Sequence, residues 1–228
     1  MRPVYEIDEL AKEESWRMFR IMGEFVEGFD HLSPIQPAVT IYGSARAKPG
    51  DKLYRLTEEI ARGLAQRGFS IITGGGPGVM EAANKVAREV GVPSAGLHIE
   101  LPDQPPNPYP TLSIHFHYFF VRKVMLVKYA TAFILMPGGW GTLDETFETL
   151  TLIQTKKIKP FPVILVGTNY WRGLVDWMKQ ILVGKDFISA SDLNLFHVTD
   201  DPERVFEIVL SWHELQKKSP GKGEIYRD

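Results

Sequence analysis

The sequence predicts a three-layer α/β/α sandwich around a mostly parallel sheet, and three observations carry that prediction. Short runs rich in β-branched and aromatic residues recur along the chain, segments long enough for a helix separate most of them, and the runs end in glycine, proline or a polar break. Such alternation pairs strands in parallel through right-handed crossovers and covers both sheet faces with helices. At 228 residues the chain can bury roughly 70–75% of its extended surface, which is enough for a full hydrophobic core.

The first thirty residues read as a helix. Trp16, Phe19, Met22 and Val26 recur at three- and four-residue steps as its apolar face, with Glu13, Arg17, Arg20, Glu24 and Glu27 between them. Gly28 and the Ser33-Pro34 pair are its expected stops. Strands are expected at 38–42, 69–73, 94–99, 112–118, 131–136, 162–166 and 195–198. Helices are expected near 51–67, 77–90, 119–129, 142–156 and 171–183. A last helix over 202–217 has Asp201 as its N-cap and Pro202 at its first position. Residues 101–110 hold five prolines and can be neither helix nor central strand; they form either a stiff connector or a loop that shapes a pocket. The expected organisation is one domain over 1–218 with an N-terminal helical extension at about 4–29, followed by a flexible tail at 219–228.

Composition excludes several function classes. The chain carries 26 Lys and Arg against 28 Asp and Glu, a formal charge of −2, which argues against coating nucleic acid or an anionic membrane. It has no cysteine, so a disulfide scaffold, a thiolate zinc site, an iron–sulfur cluster and a cysteine nucleophile are all excluded. No run approaches the ~20 apolar residues that cross a bilayer. The first 29 residues lack the apolar block of a secretory signal, so a cytoplasmic location is expected.

In an open parallel sheet, ligands sit beyond the carboxyl ends of the strands. Three of those ends carry glycine: Gly43-Ser44-Ala45-Arg46, then Gly74-Gly75-Gly76-Pro77-Gly78-Val79-Met80-Glu81, then Pro137-Gly138-Gly139-Trp140-Gly141-Thr142-Leu143-Asp144-Glu145. Glycine admits positive φ and removes the Cβ atoms that hold an anion away, and the helix that follows offers unpaired N–H groups. One such turn can be a tight connection and nothing more, whereas three on one edge predict a shared anion pocket. No glycine-lysine-serine/threonine follows the glycine run, and the first turn lacks the dinucleotide spacing, so ATP hydrolysis and NAD chemistry are disfavoured.

Two charged positions stand out. Thr142-Leu143-Asp144-Glu145 reads as a capping box, which by itself accounts for Thr142 and Glu145. Leu143, Phe147 and Leu150 would set the core face of that helix, with Glu145 projecting away from it. Leu152 on the outward side would then meet another subunit. Arg122 and Lys123 interrupt an otherwise apolar helix, so they either snorkel to the surface or aim at a phosphate or carboxylate. His115 and His117 read as the alternate face of a strand rather than a ligand pair, and neither a metal nor a cofactor is expected.

The order Gly74-Gly75-Gly76-x-Gly78-x-Met80-Glu81, Arg122-Lys123, Pro137-Gly138-Gly139-x-Gly141-Thr142-x-x-Glu145 resembles the LOG family of cytokinin-activating nucleoside monophosphate phosphoribohydrolases, over residues 38–183. The resemblance implies a Rossmann-like fold and a homodimer or larger assembly with its active site near the subunit contact. It implies cleavage of the N-glycosidic bond of an adenosine-type 5′-monophosphate, giving free base and ribose 5-phosphate. Carried over by position, it makes Arg122 and Glu145 the catalytic pair. Gly138, Gly139, Trp140, Gly141, Thr142, Leu143 and Asp144 form the binding loop, with Lys123 and Thr151 nearby. Gly43, Ser44, Gly74, Gly75, Gly76, Met80 and Glu81 complete the expected phosphate seat.

In this reading Glu145 stabilises an oxocarbenium-like sugar and activates water, while Arg122 holds phosphate or ribose hydroxyls and orients the carboxylate. The N–H groups of Gly139, Trp140, Gly141 and Thr142 receive phosphate oxygens. Phe119-Phe120-Val121 stands where plant-type members have a methionine-histidine-x pattern, which leaves the base open between adenine or another purine and an N6-substituted one. Members have also been called lysine decarboxylases, a reading that needs a Schiff-base lysine with a pyridinium partner and finds no support in the sequence. The rival class is a non-catalytic nucleotide or cofactor carrier on the same fold.

Overall fold

A computed structural model describes residues 14–99 and 105–218. The expected start of the N-terminal extension, the first part of the proline-rich segment and the expected tail at 219–228 lie outside the described residues. In chain order the elements are α1 (Glu14–Leu32), β1 (Ala38–Tyr42), α2 (Lys52–Gln66), β2 (Ser70–Thr73), α3 (Val79–Val90), β3 (Ser94–Ile99) and β4 (Leu112–Phe116). There follow α4 (Phe119–Lys128), β5 (Ala130–Leu135), α5 (Trp140–Gln154), β6 (Val163–Val166), α6 (Thr168–Trp177), β7 (His197–Thr199) and α7 (Pro202–Lys218).

The seven strands form one parallel sheet in the order β4-β3-β2-β1-β5-β6-β7. The chain begins at the centre, winds out to β4, returns to β5 beside β1 and proceeds to the opposite edge. The strand order therefore reverses between β1 and β5, the place where this architecture opens a crevice. Strand alternation divides the core in two. Phe133 and Leu135 of β5 pack on one face with Leu32, Val121, Met125 and Trp171. Ala132 and Ile134 pack on the other with Ile60, Leu64, Val86, Val205 and Val209. The Rossmann-like α/β class expected from the sequence is the one observed.

Several details differ from the sequence reading. Helix α1 buries Gly28 and Leu32 and partly buries Ile21 and Phe25, while Trp16, Phe19, Met22 and Val26 face outward. Gly28 does not stop the helix; it lies inside it, packed against Met125, and a 3₁₀ turn at Ser33–Ile35 ends the run. The expected helix at 171–183 begins earlier, at Thr168, where Asp200 accepts the Thr168 N–H at 2.7 Å, and continues beyond Trp177 as a π-helical turn over Met178–Val183. The strand expected at 195–198 starts at His197 because Ala190–Leu195 forms a 3₁₀ turn. Among the described residues no helix is long and apolar enough to cross a membrane.

Candidate functional site

The three glycine turns meet at the β1/β5 switch. The Ser44 N–H donates to the Pro137 carbonyl at 2.9 Å, and the Ser44 carbonyl accepts the Val79 N–H at 3.0 Å, so the first turn ties the other two together. The described part of the proline-rich connection closes over the second turn. The Asn107 N–H donates to the Gly75 carbonyl at 2.9 Å and its side-chain amide donates to the Gly76 carbonyl at 2.8 Å. That amide also reaches Asn84 at 3.1 Å, inside a buried network with Thr73 and Ser94. The described part of the connection is thus fastened to the second glycine turn rather than a loose surface link.

Arg122 is fixed from two sides. Its Nε donates to the Leu97 carbonyl at 2.7 Å and its Nη2 to the Gly74 carbonyl at 3.4 Å. A Cβ at position 74 would collide with the guanidinium, so glycine is what admits the arginine here. Gly75 holds φ at +73° and packs on the His98 ring, which requires glycine on both counts. His98 stacks on His115 with ring centres 4.7 Å apart. Burial, with His115 and Arg122 nearby, pulls the His98 pKa down to about 4, so this imidazole is neutral at neutral pH.

Glu145 does not belong to a capping box. Helix α5 starts at Trp140 with Gly139 as its N-cap and has no side-chain cap. Thr142 is inside the helix, its hydroxyl side pressed against Gly138, and its N–H bonds the Gly139 carbonyl at 3.1 Å, so it is not free for phosphate. The N–H groups of Gly139, Trp140 and Gly141 have no acceptor among the described residues, as expected at a helix N-terminus. The buried face is rotated from the one expected: Thr142, Glu145, Thr146, Thr149 and Ile153 point inward, Leu143 and Leu150 pack half-buried at the flank of the core, and Phe147 and Trp140 point out. Burying threonines is tolerable where they satisfy themselves, as Thr146 does by donating to the Thr142 carbonyl at 2.7 Å.

Glu145 is 5% exposed, and its Oε2 has no hydrogen-bond partner. Burial raises its pKa from 4.5 to about 7, against the opposing pull of Lys123 and Arg122. Lys123 and Arg122, adjacent in sequence, go separate ways. Lys123 pairs with Asp144 at 2.7 Å and Glu148 at 2.8 Å. Burial works against its charge, but the two carboxylates more than offset this and raise its pKa.

Tyr42, which sequence reasoning left as a strand residue, is within electrostatic reach of Glu145 and Arg122. Its hydroxyl is buried without a partner, and among charges it feels Glu145 most strongly, then Arg122. Met80 places its sulfur beside Gly74, and Glu81 accepts the Tyr54 hydroxyl at 3.2 Å. Thr151, by contrast, lies on the exposed side of α5, its hydroxyl bonded to the Phe147 carbonyl. It lines a shallow groove of about 610 Å³ with Trp140, Leu143, Asp144 and Phe147. A groove of about 950 Å³ runs along Val124, Leu152, Phe161 and Trp212 and touches none of the glycine turns. Neither groove is lined by Glu145 or Arg122. Among the described residues no cluster of three or more His, Asp or Glu side chains is placed to hold a metal ion.

The profile of a family described as "Possible lysine decarboxylase" matches residues 80–209. A cytokinin riboside 5′-monophosphate phosphoribohydrolase of Rhodococcoides fascians is 26% identical over 183 residues, 78% of this chain and 91% of that protein. One from Mycobacterium marinum is 27% identical over 170 residues, 72% and 88% of the two chains. A structural-genomics X-ray structure superposes with a TM-score of 0.59 at 24% identity, covering 76% of this chain and 98% of that one. The molybdenum cofactor carrier protein of Chlamydomonas reinhardtii superposes at 0.56 with 21% identity, covering 78% and 98%. Likeness at that identity extends to the fold alone.

Proposed function

Since the matching profile spans more than half its length, the chain belongs to the LOG family, described as possible lysine decarboxylases, and from that premise we propose that it hydrolyses the N-glycosidic bond of a purine nucleoside 5′-monophosphate. The products are the free base and ribose 5-phosphate. The observation that carries the reading is the buried, unpaired Glu145 carboxylate within electrostatic reach of a guanidinium fixed on two backbone carbonyls, at the rim where three glycine turns converge.

The phosphate sits among the free N–H groups of Gly139, Trp140 and Gly141, with the unsatisfied N–H groups of Arg122 as a second contact. The C1′–N bond then breaks with its electron pair leaving on the base, and positive charge develops on the sugar. Glu145 stabilises that charge and takes a proton from the water whose oxygen bonds to C1′; the departing base takes a proton from solvent. Lys123 is held by Asp144 and Glu148, and its role is to keep a positive field beside Glu145.

The test is incubation with a panel of nucleoside 5′-monophosphates, including AMP and N6-substituted AMP, with liberated base read by chromatography. The wild type should release base, and Glu145→Gln should lose about 10³-fold or more in turnover while still binding nucleotide. Tight binding without base release would favour the carrier reading, and unchanged hydrolysis in Glu145→Gln would remove the assigned role.

A further inference from the structure

We propose that Glu24 of helix α1 is a positioning residue for Arg122: its carboxylate caps the start of α4 from outside that helix and so sets where the guanidinium meets the nucleotide. The inference deepens the reading above and rests on it for the contact between Arg122 and the substrate.

Helix α4 starts without a cap of its own. Tyr118 stands at its N-cap with no side-chain hydrogen bond, and no acid lies in its first turn. A helix start in that state carries unpaired N–H groups and the positive end of the dipole, and both draw an anion. The anion comes from α1. Glu24 accepts the His117 N–H on Oε1 at 2.9 Å and the Tyr118 N–H on Oε2 at 3.2 Å, although the two lie 93 and 94 residues further along the chain.

An unbroken run of bonds leads from this carboxylate to the guanidinium. The Tyr118 carbonyl accepts the Arg122 N–H at 3.3 Å, the first backbone bond of α4. The Arg122 side chain then donates to the Leu97 carbonyl at 2.7 Å and to the Gly74 carbonyl at 3.4 Å. Glu24 therefore holds the peptide from which the arginine is hung.

The rest of α1 serves the same contact. Gly28 lies against the Met125 side chain, and the Phe29 ring takes the Lys128 ammonium at 5.3 Å. Glu24, Gly28 and Phe29 thus meet the start, the later turns and the end of α4 in order, and α1 is a splint along the helix that carries Arg122. Covering α4 does not by itself call for an acid at position 24, where an apolar side chain would be half-buried at no desolvation cost; two backbone donors do call for one. The matching family profile begins at residue 80, so this splint is an addition to the part of the chain that the profile describes.

The experiment is a double-mutant cycle on wild type, Glu24→Ala, Arg122→Ala and the double variant, with AMP affinity read by calorimetry and base release by chromatography. Glu24→Ala should weaken AMP binding about tenfold and lower kcat/KM by at least as much. Arg122→Ala should also bind more weakly. Adding Glu24→Ala to it should change affinity by less than about twofold, because the cap acts through the guanidinium. The same loss in both backgrounds, as a general loosening of the fold would give, overturns the proposal; so does an unchanged affinity in Glu24→Ala. Glu27→Gln removes one charge from the exposed side of the same helix and should bind AMP like wild type. A loss there equal to that of Glu24→Ala would assign the effect to net charge and overturn the proposal as well. Where Glu24→Ala melts too low to assay, Glu24→Gln takes its place in the cycle. It keeps an amide oxygen for one N–H, and should weaken AMP binding about threefold alone and not beside Arg122→Ala. The two readings fail separately: AMP bound without base release ends the hydrolase reading and leaves the cycle to stand, whereas additive losses end this inference and leave base release untouched.

Discussion

At neutral pH the Glu145 carboxyl sits near the middle of its titration, because burial lifts it from 4.5 to about 7 despite Lys123 and Arg122. The folded protein therefore binds this proton more tightly than the unfolded chain, and the associated stability is lost as pH rises from about 4.5 through 7. Replacing the acid by a neutral isostere removes that loss. Glu145→Gln should melt several degrees above wild type at pH 8, a difference on the order of 2–3 kcal/mol, and close to wild type near pH 5. Thermal melts at the two pH values check this, and a higher wild-type melting temperature at pH 8 would contradict it. The same titration should appear in the unmutated enzyme as an acidic limb of kcat/KM centred near pH 7, since only the carboxylate can accept the proton from water. Arg122 was legible as a charge in an otherwise apolar helix, and Glu145 as the last residue of the glycine-rich motif that begins at Pro137. Tyr42 and His98 were not, because an aromatic residue in a strand reads first as core, and only its neighbours reveal an unpaired hydroxyl or a neutral imidazole.

Helix α5 shows where pattern reading fails at the scale of an element. Its leucines and Phe147 have helical spacing, which ordinarily marks the buried side, yet the inward stripe is Thr142, Glu145, Thr146 and Thr149. A site that needs an acid aimed inward must turn the polar stripe toward the core, so Leu143 and Leu150 pack half-buried at its flank and Phe147 is left outside. The glycine turns were legible because glycine punctuates strand ends whatever the tertiary context. What fastens the second turn was hidden, because Asn107 lies more than thirty residues further along the chain. Its side chain fills the Gly76 carbonyl with almost no access to water, so Asn107→Ala leaves that carbonyl without a replacement, while Asn84 keeps the Thr73 hydroxyl. The expected outcome is a loss of about 1–3 kcal/mol in urea unfolding, together with a larger fall in kcat/KM than in thermal stability, because the turn that shares its carbonyl with Arg122 is loosened. Unchanged unfolding would mean that the connection does not hold the turn.

Parallel pairing in a three-layer sandwich followed from the alternation of strands and helices, but the strand order and which apolar side chains would face outward did not. Phe19 on α1, Phe120 and Val124 on α4, and Trp140 and Phe147 on α5 are all exposed, Trp140 at 87%. These helices adjoin one another on a single side of the sheet: Lys128 of α4 lies over the Phe29 ring of α1, and Lys123 of α4 pairs with two acids of α5. One face of the molecule therefore carries an apolar surface interrupted by groups already paired, the composition expected of a contact between copies of the same chain. A second copy is the occupant we propose, which would also give helix α5 a reason to send Trp140 and Phe147 outward. Light scattering at micromolar concentration should return twice the 25.8 kDa chain mass. Val124→Glu, at the junction of this face with the long groove, should shift the mass toward a single chain or weaken association at least tenfold, because it buries an unpaired charge against Leu152 and Phe161. Its melting temperature at low concentration should stay near that of dissociated wild type, as Val124 is already exposed within one chain. A wild-type mass of one chain, or a Val124→Glu variant as associated as the wild type, would place the contact elsewhere and leave this face to another partner.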